Sequence, residues 1–466
     1  MMQTTTDTGV EAKSRSKIFV GRIVHSRSLK HLEILPKAAI GVTKEGTIGF
    51  LDSSITSAEA VQEKYSTSGF ADADCITLTP TQFLFPGLID THLHAPQWPN
   101  LAIGMEGNLR EWVEHYTDPI EASYSDTAKA RRVYSDVVQT TLKLGSTTVA
   151  YNSTIHSEAT NVLAQMCLKY GQRAVIGKLC ILVGSTRGNW EESSEQSLAD
   201  SEKSITYMRH IDPEARLLHP CVQPRGGPYC PPDLMAGLGD LSQKHREDDI
   251  HALRVQAHMC ETTSDRDRTL ELHKKFKSYT EMYNAYGMLH SRSILAHCIH
   301  LSEMDMKLLK ETKAGVAHNP NSNTCLRDGE CHVRELLDRG IKVGLGTDCS
   351  AGYMPSITDA MRSASNVSRH LTMKTQEERW MLSFEECVYL ATMGGAEVVG
   401  LEDKIGNFEA GKEFDALLVD VDGVISAGEW DGEGEEGGLA LVKKWVFMGD
   451  DRHIKMVWVK GDTVGG

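Results

Sequence analysis

The stretch Phe85-Pro86-Gly87-Leu88-Ile89-Asp90-Thr91-His92-Leu93-His94-Ala95-Pro96-Gln97 sets two histidines one residue apart at the end of an apolar run. In a strand, residues i and i+2 face the same way, so His92 and His94 converge. Two convergent imidazoles either stack on a solvated surface or grip a metal. Partners elsewhere in the chain decide between these.

From about Phe83 onward, short apolar runs alternate with longer amphipathic segments. Strands are expected at 85–91, 146–152, 173–180, 216–222, 254–259, 293–298, 314–318 and 342–347. Helical patterns such as 128–143, 161–170, 198–210 and 303–310 fall between them. Eight strand–helix alternations are the signature of an α/β chain folded as a (β/α)8 TIM-type barrel, here over 83–399. The flanking segments, 17–82 and 400–466, carry glycine-punctuated strand patterns. They are expected to pair into a small discontinuous β-sandwich domain built from both ends of the chain. Within it, KKWVFMGD (443–450) and IKMVWVKG (454–461) read as strands, and the acidic Glu429–Gly438 as a solvated loop. Residues 1–16 read as a disordered polar tail.

The 466 residues are 40% hydrophobic and 24% charged, which suits a globular protein with a large core. A net charge of −15 opposes binding to a phosphate backbone, so no nucleic-acid partner is expected. No apolar run is long enough to span a bilayer, and the first residues lack a signal-peptide core, so no membrane partner and a cytoplasmic address are expected. The eleven cysteines are scattered and never form C-x-x-C, a pattern of free thiols in a reducing compartment.

Barrel enzymes place their chemistry at the C-terminal ends of the strands. Those ends carry His92 and His94 after the first strand, His258 after the fifth, His297 after the sixth and Asp348 after the eighth, with Glu261 three residues beyond His258. Catalytic zinc takes about three nitrogen or carboxylate ligands and keeps a position open for water. His92, His94, His258 and Asp348 offer such a set, and Glu261 beside them suits proton transfer. His297 and Asp348 complete the expected catalytic group by orienting the attacking water or stabilising developing charge. Taken singly, His258 and His297 fit hydrogen-bonded interior histidines, Asp348 a helix cap and Glu261 a first-turn acid. Their joint appearance at strand ends reads as a metal centre.

Between Phe85 and roughly Val421 the sequence resembles the amidohydrolase superfamily and, within it, the guanine deaminases. The residues that carry the resemblance are PGLIDTHLHAPQ (86–97), REW (110–112), GQRAVIGK (171–178), PR (224–225) and H-x-x-E (258–261). Further along come LAHCIHLS (295–302), AHNPNSN (317–323), GLGTD-x-x-x-GY (344–353) and IGNFEAGKEFDA (405–416). The resemblance implies a barrel with a small β domain, one zinc ion per chain, commonly a homodimer, and hydrolysis of guanine to xanthine and ammonia. It implies that Gln97 and Arg225 read the purine, with Gly226, His94, His258, Glu261 and Asp348 also around the substrate. Many binuclear relatives bridge two metals with a fourth-strand lysine. The expected fourth strand, RLLHPCV, has none, which favours one metal, while Lys178 on the third strand is expected in an internal ion pair.

Three departures from the guanine deaminase pattern lie near the expected pocket. Gly226 stands where phenylalanine usually follows the arginine, Asn152 where phenylalanine usually ends the second strand, and Ile181–Gly184 replace the usual Met-Asp-x-Asn. Loss of an aromatic wall would enlarge the cavity, which leaves a pterin, with the same 2-amino-4-oxo edge, as an alternative substrate. A ring-opening cyclic amidohydrolase and a non-catalytic scaffold are further alternatives; the complete donor set and the missing fourth-strand lysine oppose them. Gly406–Glu413 only approximates a phosphate-binding loop, because Glu413 stands where Ser or Thr is needed.

Overall fold

The computed structural model describes residues 15–54, 57–246, 250, 252–423 and 434–465. Its centre is a parallel sheet of eight strands in sequential order: Leu88–His94, Ser146–Asn152, Arg173–Gly177, Leu218–Pro224, Arg254–Met259, Ser293–His297, Gly315–His318 and Lys342–Leu345. The short strand Leu179–Cys180 extends the third and pairs with the fourth. Every residue of the first, second and fourth strands is buried, as expected when a barrel interior lies on one side and helices cover the other. The expected helices form at Thr127–Lys143, Ser157–Tyr170, Ser194–Ile211 and Glu303–Thr312. Three start on side-chain caps: Asp126 accepts from Ala128 N and Lys129 N, Ser193 accepts from Gln196 N, and Ser302 exchanges hydrogen bonds with Asp305.

The first and eighth strands meet at their C-terminal ends. Asp348 N donates to His92 O at 2.8 Å, and His94 N donates to Cys349 O at 2.9 Å. Just inside this seam, buried Asp90 accepts from Thr347 N at 3.0 Å, Thr347 Oγ1 at 2.6 Å and His92 N at 3.1 Å.

Both ends of the chain build a second sheet. Its order is Asp462–Gly465, Ile454–Val459, Ala416–Asp420, Gln82–Pro86, Lys17–Ser28, His31–Val42 and Ile48–Asp52, with Asp74–Thr77 also on Lys17–Ser28. Hydrogen bonding is continuous, yet the sheet curls over its own core. Phe19 and Trp458 sit three strands apart with ring centroids 5.1 Å from each other, and Phe414 stacks on Phe19 at 5.2 Å. The small sheet joins the barrel through buried Arg173, which donates to Asp415 at 3.1 and 3.2 Å and to Glu413 at 2.6 Å.

Three sequence expectations are corrected. The run expected as one strand over 85–91 is two: Gln82–Pro86 pairs with Ala416–Asp420 in the small sheet, and Leu88–His94 opens the barrel. Gly87 lies at the switch, where a Cβ would stand 2.1 Å from Thr147 Oγ1. KKWVFMGD is not a strand but falls largely within the helix Gly434–Met448. Leu441, Val442, Trp445 and Val446 are its buried side, at helical spacing, and Trp445 lies edge-on to Phe83 and Phe85 at 5.9 and 5.0 Å. Of the expected loop Glu429–Gly438, residues 434–438 open this helix and 429–433 lie outside the described residues. Residues 1–14 of the expected tail also lie outside them. Among the described residues no helix is long and apolar enough to cross a membrane.

Candidate active site

The strand ends bring His92, His94, His258 and Asp348 together, with one ligand atom from each lying within 4.8 Å of the others. His92 Nε2 and His94 Nε2 lie 3.3 and 3.4 Å from Asp348 Oδ1, and His94 Nε2 lies 3.1 Å from His258 Nε2. Burial holds all three imidazoles well below their ordinary pKa, so their lone pairs are free at neutral pH. His258 Nδ1 contacts Arg225 O at 2.6 Å, which directs its Nε2 lone pair into the cluster. His92 Nε2 is buried without a hydrogen-bond partner. An orphaned nitrogen among neutral imidazoles and a carboxylate fits a divalent metal ion, which takes nitrogen and oxygen ligands of this kind.

Behind His92, the Asn152 amide lies 3.1 Å and the Gln256 amide 3.3 Å from its Nδ1. Gln223 in turn donates to Asn152 at 2.8 Å. The departure at the end of the second strand therefore supplies a polar contact that aims the first histidine.

A second group shares Asp348. His297 Nε2 lies 3.6 Å from Glu261 Oε1 and 3.7 Å from Asp348 Oδ2. Its Nδ1 faces Asn323 Oδ1 at 3.0 Å, so the proton is held on the far side and Nε2 is open towards the acids. Burial, reinforced by Asp348 and Asp265 nearby, pushes the Glu261 carboxyl well above its usual range, against the pull of Arg225. A carboxyl held that way takes up a proton more readily than a free glutamate, which suits it to proton transfer.

A cavity of about 490 Å³ opens over both groups, with His94, Gln97, Arg225, His258, Glu261 and Asp348 in its wall. Gln97 and Arg225 are held by one acid that sequence reading did not single out. Fully buried Glu121 accepts from Gln97 Nε2 at 2.7 Å and from Arg225 Nη1 at 2.7 Å. Asn189 steadies it at 2.7 Å and also reaches buried Asp118 at 3.0 Å. No motif announces Glu121, because an acid in the short helix Asp118–Ala122 resembles any helical surface charge. Asn323 lies inside the quoted AHNPNSN and was legible only as part of that motif.

Gly226 does not join the others. It is buried outside the cavity wall, where a Cβ would stand 3.2 Å from Tyr279 Oη, and Pro228 and Tyr229 line the cavity in its stead. The Tyr279 hydroxyl, which accepts from Gly227 N at 2.6 Å, occupies the adjacent space. Lys178 pairs with Glu191 and lies away from the cavity wall.

Residues 83–464 match the family model described as Amidohydrolase family. A probable guanine deaminase of Schizosaccharomyces pombe is 42% identical over 456 residues, 96% of this chain and 83% of that protein. The guanine deaminase of Homo sapiens is 35% identical over 453 residues, 96% of each chain. Among solved structures, guanine deaminase from C. acetobutylicum with bound guanine in the active site superposes with a TM-score of 0.86 at 30% identity, covering 97% of this chain and 100% of that one. This chain belongs to the amidohydrolase family, as a guanine deaminase-like member.

Proposed function

We propose that this protein hydrolyses guanine to xanthine and ammonia. One observation carries the reading: a metal-type donor set, a buried carboxyl beside it and two planar hydrogen-bonding groups fixed on Glu121 all face one cavity. His92, His94, His258 and Asp348 would hold a single zinc ion, which when bound acts as a Lewis acid and brings the pKa of a coordinated water towards neutrality.

The chain's own residues do the rest. Arg225 presents a rigid donor fork to the carbonyl and ring-nitrogen edge of the base. Gln97 offers an amide to the same edge, and Glu121 keeps both from turning away. Glu261 takes the proton released as water adds to the carbon bearing the 2-amino group. It delivers that proton to the adjacent ring nitrogen, then moves the remaining proton of the added hydroxyl to the amine, so that the C–N bond breaks, the new carbonyl forms and ammonia leaves. His297 hydrogen-bonds the incoming oxygen through Nε2, in the tautomer that Asn323 favours. A pterin presents the same edge on a larger ring, and the roomy cavity supports keeping it as a second substrate.

The test is ammonia release from guanine, pterin, adenine and cytosine by zinc-loaded protein, with bound metal counted per chain. The expected result is guanine turnover at one zinc per chain that Glu261→Gln abolishes. Metal-loaded protein that releases ammonia from none of the four overturns the reading.

A further inference from the structure

Tyr229 ends the single turn Gly227–Tyr229 that follows Arg225, and its backbone is held from both sides. Leu182 N and Val183 N both donate to Tyr229 O, at 3.0 and 3.2 Å, and Tyr229 N donates to Gly226 O at 3.2 Å. The two segments that depart from the family pattern, 181–184 and 226, are thus hydrogen-bonded to one residue. Gly184 completes the arrangement: a Cβ there would stand 3.0 Å from Pro228 O and 3.5 Å from the Tyr229 ring, at a φ of +75° that favours glycine. The ring packs on Ile155, Leu179 and Ile181 and lines the cavity. Its hydroxyl makes no hydrogen bond among the described residues, so packing of the ring alone holds the side chain.

The Arg225 guanidinium lies over this ring, with Cζ 5.3 Å from the centroid. A guanidinium that reads a base edge is coplanar with the base. An aromatic surface under the guanidinium therefore continues under the base. The other aromatic in the cavity wall, Trp112, is buried in its own cluster with Val113, Leu326 and Ala351, and its Nε1 donates to Ile103 O at 2.8 Å.

We propose that Tyr229 is the wall on which the flat 2-amino-4-oxo heterocycle lies while Gln97 and Arg225 read its edge. The proposal rests on the guanine reading above. It makes Tyr229 a determinant of affinity more than of the chemical step, because stacking is equally available to substrate and transition state.

Steady-state kinetics on guanine for wild type, Tyr229→Leu and Tyr229→Phe test this. Leucine keeps apolar volume, so the barrel folds, but it removes the π face. The expected result is a KM raised about ten- to a hundredfold in Tyr229→Leu, a much smaller change in kcat, and recovery of most of the lost affinity in Tyr229→Phe. An unchanged KM in Tyr229→Leu, or a Tyr229→Phe as impaired as Tyr229→Leu, overturns the wall. Those outcomes require a wild type that deaminates guanine. A wild type that does not deaminate it overturns the functional reading, and this proposal with it.

Discussion

Glu121 Oε2 accepts from Arg225 Nη1 at 2.7 Å, and both residues are buried, Arg225 at 5% exposure. A buried pair with its remaining hydrogen bonds satisfied is tolerated, whereas half of one is not. Glu121 also fixes Gln97 through its other oxygen, so one carboxylate aims both groups proposed to read the base.

Removing that carboxylate should damage stability and recognition together. Glu121→Ala is expected to lose about 3–5 kcal/mol in denaturant unfolding, because it strands a buried cation. Glu121→Gln keeps a carbonyl acceptor and should lose less. In both variants KM for guanine should rise more than kcat falls. A Glu121→Ala protein of wild-type stability would show that Arg225 finds another partner.

Asn152 should be felt in metal affinity. Contacts that aim metal-bound histidines typically change affinity ten- to a hundredfold. Asn152→Ala, titrated against a competing chelator, is expected to bind zinc about tenfold or more weakly while its thermal midpoint moves little. Unchanged zinc affinity would mean that Gln256 alone aims His92.

The raised carboxyl of Glu261 makes a prediction about pH in metal-free protein. In the unfolded chain a glutamate ionises around pH 4.3, while burial in the fold keeps Glu261 protonated to a higher pH. Unfolding therefore releases a proton, and the folded state loses stability as pH rises from that value through the folded pKa. Glu261→Gln removes the penalty. Its thermal midpoint should match wild type near pH 4 and exceed it increasingly as pH rises above that, up to the folded-state pKa. A constant difference between the two proteins across that range would contradict the assignment.

Trp445 tests the helix that the sequence concealed. It is 1% exposed against Phe83 and Phe85, so Trp445→Ala should cost about 3–5 kcal/mol. KM for guanine should stay unchanged, because the residue is not part of the cavity wall. A shift in KM would reveal coupling between the small sheet and the barrel mouth.

The donor set was legible because its geometry is local. Alternation along a strand puts His92 beside His94, and the barrel rule places His258, His297 and Asp348 at the same rim. Glu121 and Asn189 were not legible, because their importance lies in partners scattered over three separate segments. The helix Gly434–Met448 was hidden by its glycines and by an apolar run too short to show its period. Pro86-Gly87 is the sign that the run after Gln82 changes sheets, and such a pair in an apolar stretch announces a break without saying what lies on either side.

The seam between the first and eighth strands has a consequence for assembly. Asp90 and Thr347, which pin it from inside, are 257 residues apart in sequence and tie the first strand of the barrel to the end of the last. Such contacts close only after the intervening strands and helices are in place. His92 and His94 lie on one side of that seam and Asp348 on the other, so the complete donor set proposed for the metal exists only in a barrel that has closed. Uptake of metal at full stoichiometry is thus a readout of finished folding, and a chain stalled with an open barrel identifies itself by failing to bind.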